Sequence, residues 1–430
     1  QSSEVIDSVL RSVTRISSCW STDDHPNAAG VIRCDAVGEH GSGEPAGISE
    51  VRRWVTVAAA FVSTFTVFGV AYSFGAFFDS MADEFGTGRG LTALMFSVTT
   101  ALYFGGGVVS GRFADRYGPR PVMVVGTVSL GLGLLATSAV GSIWLGYITY
   151  GLGVGTAVAC GYVPMVAMVG GWFERRRTTA LGIAVAGIGA GTLVCAPLAA
   201  HLIEAHGWRR AYVIFAIGGV ASMALATLGV RRAPSRGAGG RVDLRAVARQ
   251  RPFVVLYLGS LALSLALFVP FVFIKSYATE RGVEAGRAAL LVGLIGASSI
   301  IGRLGLGALG ARLGAIRLLQ GSFVTMAGSY LIWMASDGRY GLLVLYTVVM
   351  GIGYGGFIAL SPAVVAELFG TDGMATILGA TYTAAGIGGL VGPPTAGAII
   401  DRWGFGIGIG FALVMTLVAA VTLLALPRGR

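Results

Sequence analysis

From Trp54 onward the chain repeats one pattern: an apolar run long enough to cross a bilayer, a few charged or turn-forming residues, then another run. Backbone polar groups in hydrocarbon must find partners within their own segment, so each run is expected to be a helix. The runs fall at 54–78, 91–114, 121–139, 143–171, 178–201, 210–230, 252–275, 288–311, 317–336, 340–369, 374–400 and 404–426. This predicts an all-α membrane protein of twelve transmembrane helices. The 68 glycines fit that reading, because small residues let membrane helices approach closely.

The charges support it as well. The net charge of +10 resides in short loops: Arg112, Arg116 and Arg120; Arg175, Arg176 and Arg177; and seven arginines from Arg231 to Arg251. That is loop bias and not a nucleic-acid groove. With the N-terminus inside, 19 basic residues fall on the cytoplasmic side and 8 outside, omitting Arg303 and three in the tail. Both termini are therefore expected in the cytoplasm, the chain spanning an inner membrane many times. Residues 1–50 are polar, lack a periodic apolar face and read as a disordered tail without the core of a cleavable signal peptide.

The segment 231–251 reads as a cytoplasmic linker between two six-helix bundles, 51–230 and 252–430. The bundles repeat. "TALGIAVAGIGAGTLVCAPLAAHLIEAHGW" from Thr179 matches "TILGATYTAAGIGGLVGPPTAGAIIDRWGF" from Thr376 at a constant offset of 197, pairing Gly189 with Gly386, Pro197 with Pro394 and Gly207 with Gly404. "GRFADRYG" at Gly111 and "GALGARLG" at Gly307 repeat at an offset of 196. A duplicated unit suits two pseudo-symmetric halves rocking about a central site.

Arg303 is the only charge between Arg287 and Arg312. An arginine at mid-bilayer costs about 2.5–3.5 kcal/mol on insertion scales, so it is expected to face the bundle interior. No Asp or Glu lies in a span at its depth: Asp79, Glu204 and Asp401 fall at outer ends, as does Lys275, and Asp115, Glu174 and Glu367 at inner ends. A cation without a protein partner in a water-filled cavity is an anion site, and its planar fork suits a carboxylate.

Two motifs carry a family resemblance. "GRFADRYGPR", residues 111–120, resembles the signature loop of the major facilitator superfamily, with Gly111, Asp115, Arg116 and Gly118 in register. The resemblance implies a cytoplasmic latch; the second copy keeps Arg312 but has Ala311 in place of the acid. The stretch 151–191 is similar to the monocarboxylate transporters and their oxalate/formate antiporter relatives, through Tyr162, Pro164, Trp172, Phe173, Arg175 or Arg176, Arg177, Ala180, Gly182, Ala184, Ala186 and Gly187. The first helix opens "VRRWVTV", without the acidic glycine-rich start of the animal carriers, which favours a bacterial type.

This resemblance implies that Arg303 binds a substrate carboxylate. Oxalate carriers place a second cation in the eleventh helix, where this chain has Ala385, so a monoacid such as lactate, pyruvate or acetate is expected over a dianion. Tyr72, Phe74, Cys160, Tyr162, Ser299, Tyr354 and Tyr382 are the other expected wall residues. Animal carriers have an aspartate and a lysine where Ser299 and Ala76 stand; Asp79, His201 and Glu204 are then the candidates for coupling to H+. Symport, exchange and uniport all remain open, as do an oxalate/formate-type anion exchanger and an efflux carrier for a hydrophobic compound.

Other classes fit poorly. "GIGYGG" at Gly351 has the spacing of a dinucleotide loop but lies within an apolar run with no preceding strand. Cys19, His25, Cys34 and His40 are spaced unlike a zinc site, and no other clustering of acids or histidines suggests an enzyme. Neither a metal nor a cofactor is expected. The expected partners are a small organic anion, the lipid bilayer and no nucleic acid, with the monomer as the working unit.

Overall fold

The computed structural model describes residues 46–173, 177–232, 244–370 and 374–426; the side chains of 46–49, 108, 115, 177–179, 311 and 374–376 lie outside that description. The tail's Cys19, His25, Cys34 and His40 therefore fall outside the described residues, as do Arg175 and Arg176. All regular structure among the described residues is helical.

The first half runs α1 (Ala46–Tyr72), α2 (Phe74–Phe85), α3 (Arg89–Tyr117), α4 (Pro119–Ser138), α5 (Ile143–Gly146), a π-helical stretch (Tyr147–Leu152), α6 (Gly153–Trp172), α7 (Arg177–His206) and α8 (Trp208–Gly229). A short α9 (Leu244–Ala248) precedes α10 (Arg251–Leu267), α11 (Val269–Glu280), α12 (Ala285–Leu313), α13 (Ala315–Ser336), α14 (Tyr340–Phe369), α15 (Met374–Trp403) and α16 (Phe405–Leu423). Among the described residues, eleven helical runs are long and apolar enough to cross a bilayer. The twelfth rod, α13, has the length at 22 residues, but Arg317, Gln320 and several serines dilute its apolar character.

The helices outrun the sequence-derived spans, since their polar ends continue past the apolar stretch: the fifth was expected over 178–201 and extends to His206. The first and seventh spans are each broken in two, at Ser73 and Phe268. Pro270, in the first turn of α11, lacks the N–H that would continue the α10 ladder.

The internal repeat appears in the backbone. Gly118 and Gly314 stand at equivalent places before α4 and α13 with φ of 93° and 88°, a region where a Cβ is strained. Both let a long helix reverse into the next in a single residue.

Two helix pairs join the halves most extensively, α3 with α15 and α7 with α12, and α2 meets α11. Glycine makes these contacts possible. A Cβ on Gly189 of α7 would lie 2.3 Å from the Gly296 carbonyl of α12, and one on Gly75 of α2 would lie 2.4 Å from the Phe271 carbonyl of α11.

Candidate functional site

The site begins with how α12 is seated. A Cβ on Gly302 would lie 2.2 Å from the Ile352 carbonyl, and one on Gly355 would lie 2.1 Å from the Ser299 carbonyl and 2.9 Å from the Arg303 nitrogen. The glycines of "GIGYGG" thus lie inside α14 and bring its backbone against α12 at the level of Arg303. Their role is packing.

From this seat Arg303 extends into the interior, 6% exposed. Its Nη1 donates to the Val185 carbonyl of α7 at 2.6 Å, which reaches from the second half to the first. The guanidinium carbon lies 5.7 Å from the centre of the Tyr354 ring. Nε and Nη2 are buried and have no hydrogen-bond partner among the described residues. Among the described residues, the ion pairs join Arg89, Arg209, Lys275 and Arg281 to carboxylates; Arg303 is not among them. Two buried cationic donors without acceptors are costly, and an entering anion would relieve that cost.

An aromatic wall surrounds the arginine. Tyr354 and Tyr72 share a hydroxyl–hydroxyl hydrogen bond of 3.1 Å between the halves, and Phe271 packs on both, at 4.5 Å from Tyr72 and 5.8 Å from Tyr354. Phe68 stands edge-on to Tyr162 at 5.2 Å and to Tyr103 at 5.7 Å. Tyr382 faces Phe104 at 6.0 Å. Phe68 also meets Tyr72, at 5.4 Å, and Phe104 meets Tyr103, at 4.1 Å, so Tyr162 and Tyr382 join the same wall as Tyr354. Fixed donors in an apolar enclosure interact with a small anion far more strongly than in water.

The structure therefore brings Arg303, Tyr72, Tyr162, Tyr354 and Tyr382 together. Three other expected wall residues are directed elsewhere. Phe74 packs among Phe78, Phe96 and Tyr150. Cys160 fills the space beside Gly126 on α4, and the Ser299 hydroxyl donates to Gly296 of its own helix at 2.7 Å. Phe68, Tyr103, Phe104 and Phe271 were missed. Phe68 lies one helical turn before Tyr72, so their shared face was the available signal.

The H+ candidates lie apart from the arginine. Asp79 accepts from Lys275 Nζ at 2.8 Å and from Ser276, both on α11. His201 and Glu204 are exposed near the end of α7. Beside the Asp79 pair, Arg89 bonds to Glu280 and lies 3.6 Å from Asp401, and the Gly90 N–H donates to Asp401 at 3.3 Å. First-half and second-half helices are thus tied together at the Asp79 end.

At the opposite end, around Tyr117, Arg116 and Arg312 are exposed. Gly111 is half-buried, and Gly118 adopts the turn conformation already described. The Asp115 side chain lies outside the described residues.

Comparison with known proteins places these features. The family model described as Major Facilitator Superfamily matches residues 60–389 and 306–430. Monocarboxylate transporter 3 of Rattus norvegicus is 31% identical over 365 residues, 81% of this chain and 74% of the relative. Monocarboxylate transporter 13 of Bos taurus is 28% identical over 357 residues, 82% of this chain and 83% of the relative. Among solved structures, a bacterial homolog of the human lysosomal transporter Spinster, inward-facing and occupied, is similar with a TM-score of 0.70 and 14% identity, covering 90% of this chain and 98% of that one. The nucleoside transporter NupG is similar with a TM-score of 0.70 and 14% identity, over 88% of this chain and all of that one, 100%. At such identities the structural likeness speaks for the fold alone.

Proposed function

Because the chain belongs to the major facilitator superfamily, in its monocarboxylate transporter branch, and is a multi-pass membrane transporter and not an enzyme, we propose that it carries a small monocarboxylate by alternating access around Arg303. The observation that carries this reading is the guanidinium itself: buried where α7 meets α12, bonded once to a carbonyl, with two further donors unpartnered. A carboxylate supplies two acceptor oxygens in the plane of that fork. In this reading hydroxyls among Tyr72, Tyr162, Tyr354 and Tyr382 donate to its remaining lone pairs, and the rings of Phe68 and Phe271 cover a short apolar tail.

Among the described residues Arg303 is the single cation at that depth, which favours a single carboxylate. Ala385, where a second would stand, is buried and apolar. The names of the relatives support the same class of substrate.

Sidedness follows from charge. The arginine-rich Tyr117 end is cytoplasmic in this proposal, with both termini on that side of an inner membrane, and the Asp79 end faces out. The ion pairs at the Asp79 end then make this an outward-closed state. Asp79 is held by Lys275, so any H+ coupling through it requires that pair to open first. The monomer contains every group the cycle uses.

Uptake of labelled lactate, pyruvate, acetate and oxalate into proteoliposomes, with and without a pH gradient, tests the reading. Monocarboxylates should enter, oxalate should not, and acceleration by an inward proton gradient would identify symport. Equal transport of oxalate would favour the exchanger. Transport of hydrophobic cations with no carboxylate flux would overturn the assignment.

A further inference from the structure

We infer that the Tyr117 end carries a binding site for the phosphate headgroup of an anionic lipid, separate from the central arginine. A cavity of about 440 Å³ opens there between the ends of α1, α6 and α8 and the start of α4. Among the described residues, Arg52, Arg120, Arg231 and Arg232 line it. Four guanidiniums from three separate stretches of chain converge on one concavity, where solvation alone would spread them apart.

Its position favours lipid over a soluble anion. Trp172, also in the lining, closes the fourth span and donates from Nε1 to the Arg231 carbonyl at 3.3 Å, which pins the chain leaving α8 against α6. Tyr117, at the rim, is 56% exposed and lies under the Arg116 guanidinium at 5.3 Å. Tryptophan and tyrosine at the ends of apolar spans mark headgroup depth.

The surfaces continuing from the rim are apolar and exposed: Val124, Val125 and Val128 on α4, and Leu225 and Leu228 on α8. A lipid phosphate seated among the arginines would lay its acyl chains along those two helices. A soluble phosphate would leave them unused. The first turn of α4 lines the same cavity with no side-chain cap at Gly118; Pro119 and Pro121 carry no N–H, so its Arg120 N–H is what the turn adds to the guanidiniums.

Native mass spectrometry of the full chain released from nanodiscs of equal phosphatidylcholine and phosphatidylglycerol tests this. The protein should retain phosphatidylglycerol in about fivefold excess or more, the scale expected for one arginine at an anionic surface. The exposed pair Arg120→Gln/Arg231→Gln should bring retention close to parity, while Arg120→Lys/Arg231→Lys keeps most of the excess. The control Arg249→Gln/Arg317→Gln, at exposed arginines outside the cavity, should leave it unchanged. The proposal falls if the two lipids are retained equally, if the control pair lowers the excess as much, or if glycerol 3-phosphate displaces the lipid and so identifies a soluble-anion site. Should the Gln pair fail to fold, the Lys pair and the control still decide the matter: the Lys pair losing the excess, or the control losing it, overturns the site.

Discussion

In the proposed cycle Arg303 concentrates the chemistry in a group whose two distinguishable attributes, charge and planar fork, separate under mutation. Arg303→Ala removes both and should lower lactate uptake by about a hundredfold or more, the loss expected when an ionic double hydrogen bond disappears from a buried site. Arg303→Lys restores a point charge without the fork, so uptake about tenfold below the parent is expected, with the deficit mainly in KM. Full transport by the Ala variant would remove the site. Tyr354 is tested by a second split. Its ring lies against the guanidinium and its hydroxyl bonds to Tyr72. Tyr354→Phe keeps the ring and should cost about threefold or less in uptake, whereas Tyr354→Leu loses both contacts and should cost about tenfold. If Leu and Phe behave alike in initial-rate assays, the ring has no part in holding the arginine.

At the scale of the helix, the arginine depends on a seam of glycines between α12 and α14. Gly355→Ala would place a methyl 2.1 Å from the Ser299 carbonyl, against backbone that cannot swing aside, so α14 must shift and take the seat of Arg303 with it. Gly305, two residues after Arg303, has no atom within 4 Å of an added Cβ. Gly305→Ala should be neutral or stabilising by about 0.5–1 kcal/mol, as alanine is the better helix former. Thermal unfolding of the solubilised proteins checks the contrast, which fails if the two variants melt together. This seam also indicates how far the sequence could be read. Period and length located the helices, and the lone charge located Arg303, because a bilayer makes both unambiguous. Which face of a nearly uniform apolar helix turns inward is another matter. Phe74 and Tyr72 are only two residues apart, yet one enters the first-half core and the other the site. Polarity does not separate Phe74, Phe68 and Phe271, and the breaks at Ser73 and Phe268 rotate the later residues relative to the earlier ones.

For the whole molecule, the alternating-access cycle proposed above turns on the free-energy difference between two gated states, and in that proposal the Asp79 end holds one side of it. The Arg89 side chain is 30% exposed and its partners Glu280 and Asp401 are 48% and 34% exposed, so each of those contacts contributes little and weakens with salt. Lys275 is different. Its side chain is 11% exposed and its charge is met by Asp79, which Ser276 also holds. Breaking this pair by changing one partner would strand the other in a poorly solvated place, whereas Asp79→Asn/Lys275→Gln removes both charges at nearly constant volume. The double variant should therefore fold and shift the equilibrium toward opening at this end by about threefold to tenfold. Spin labels on exposed Asp83→Cys and Glu284→Cys, in a background lacking the native cysteines, report the opening as a longer-distance population in pulsed dipolar spectra. Salt at about 1 M should enlarge that population in the parent less than the double substitution does, because the Lys275 pair is shielded from solvent ions. An unchanged distance distribution in the double variant would mean that α2 and α11 are held by their glycine-mediated backbone packing at Gly75 and Phe271, with the charges as passengers.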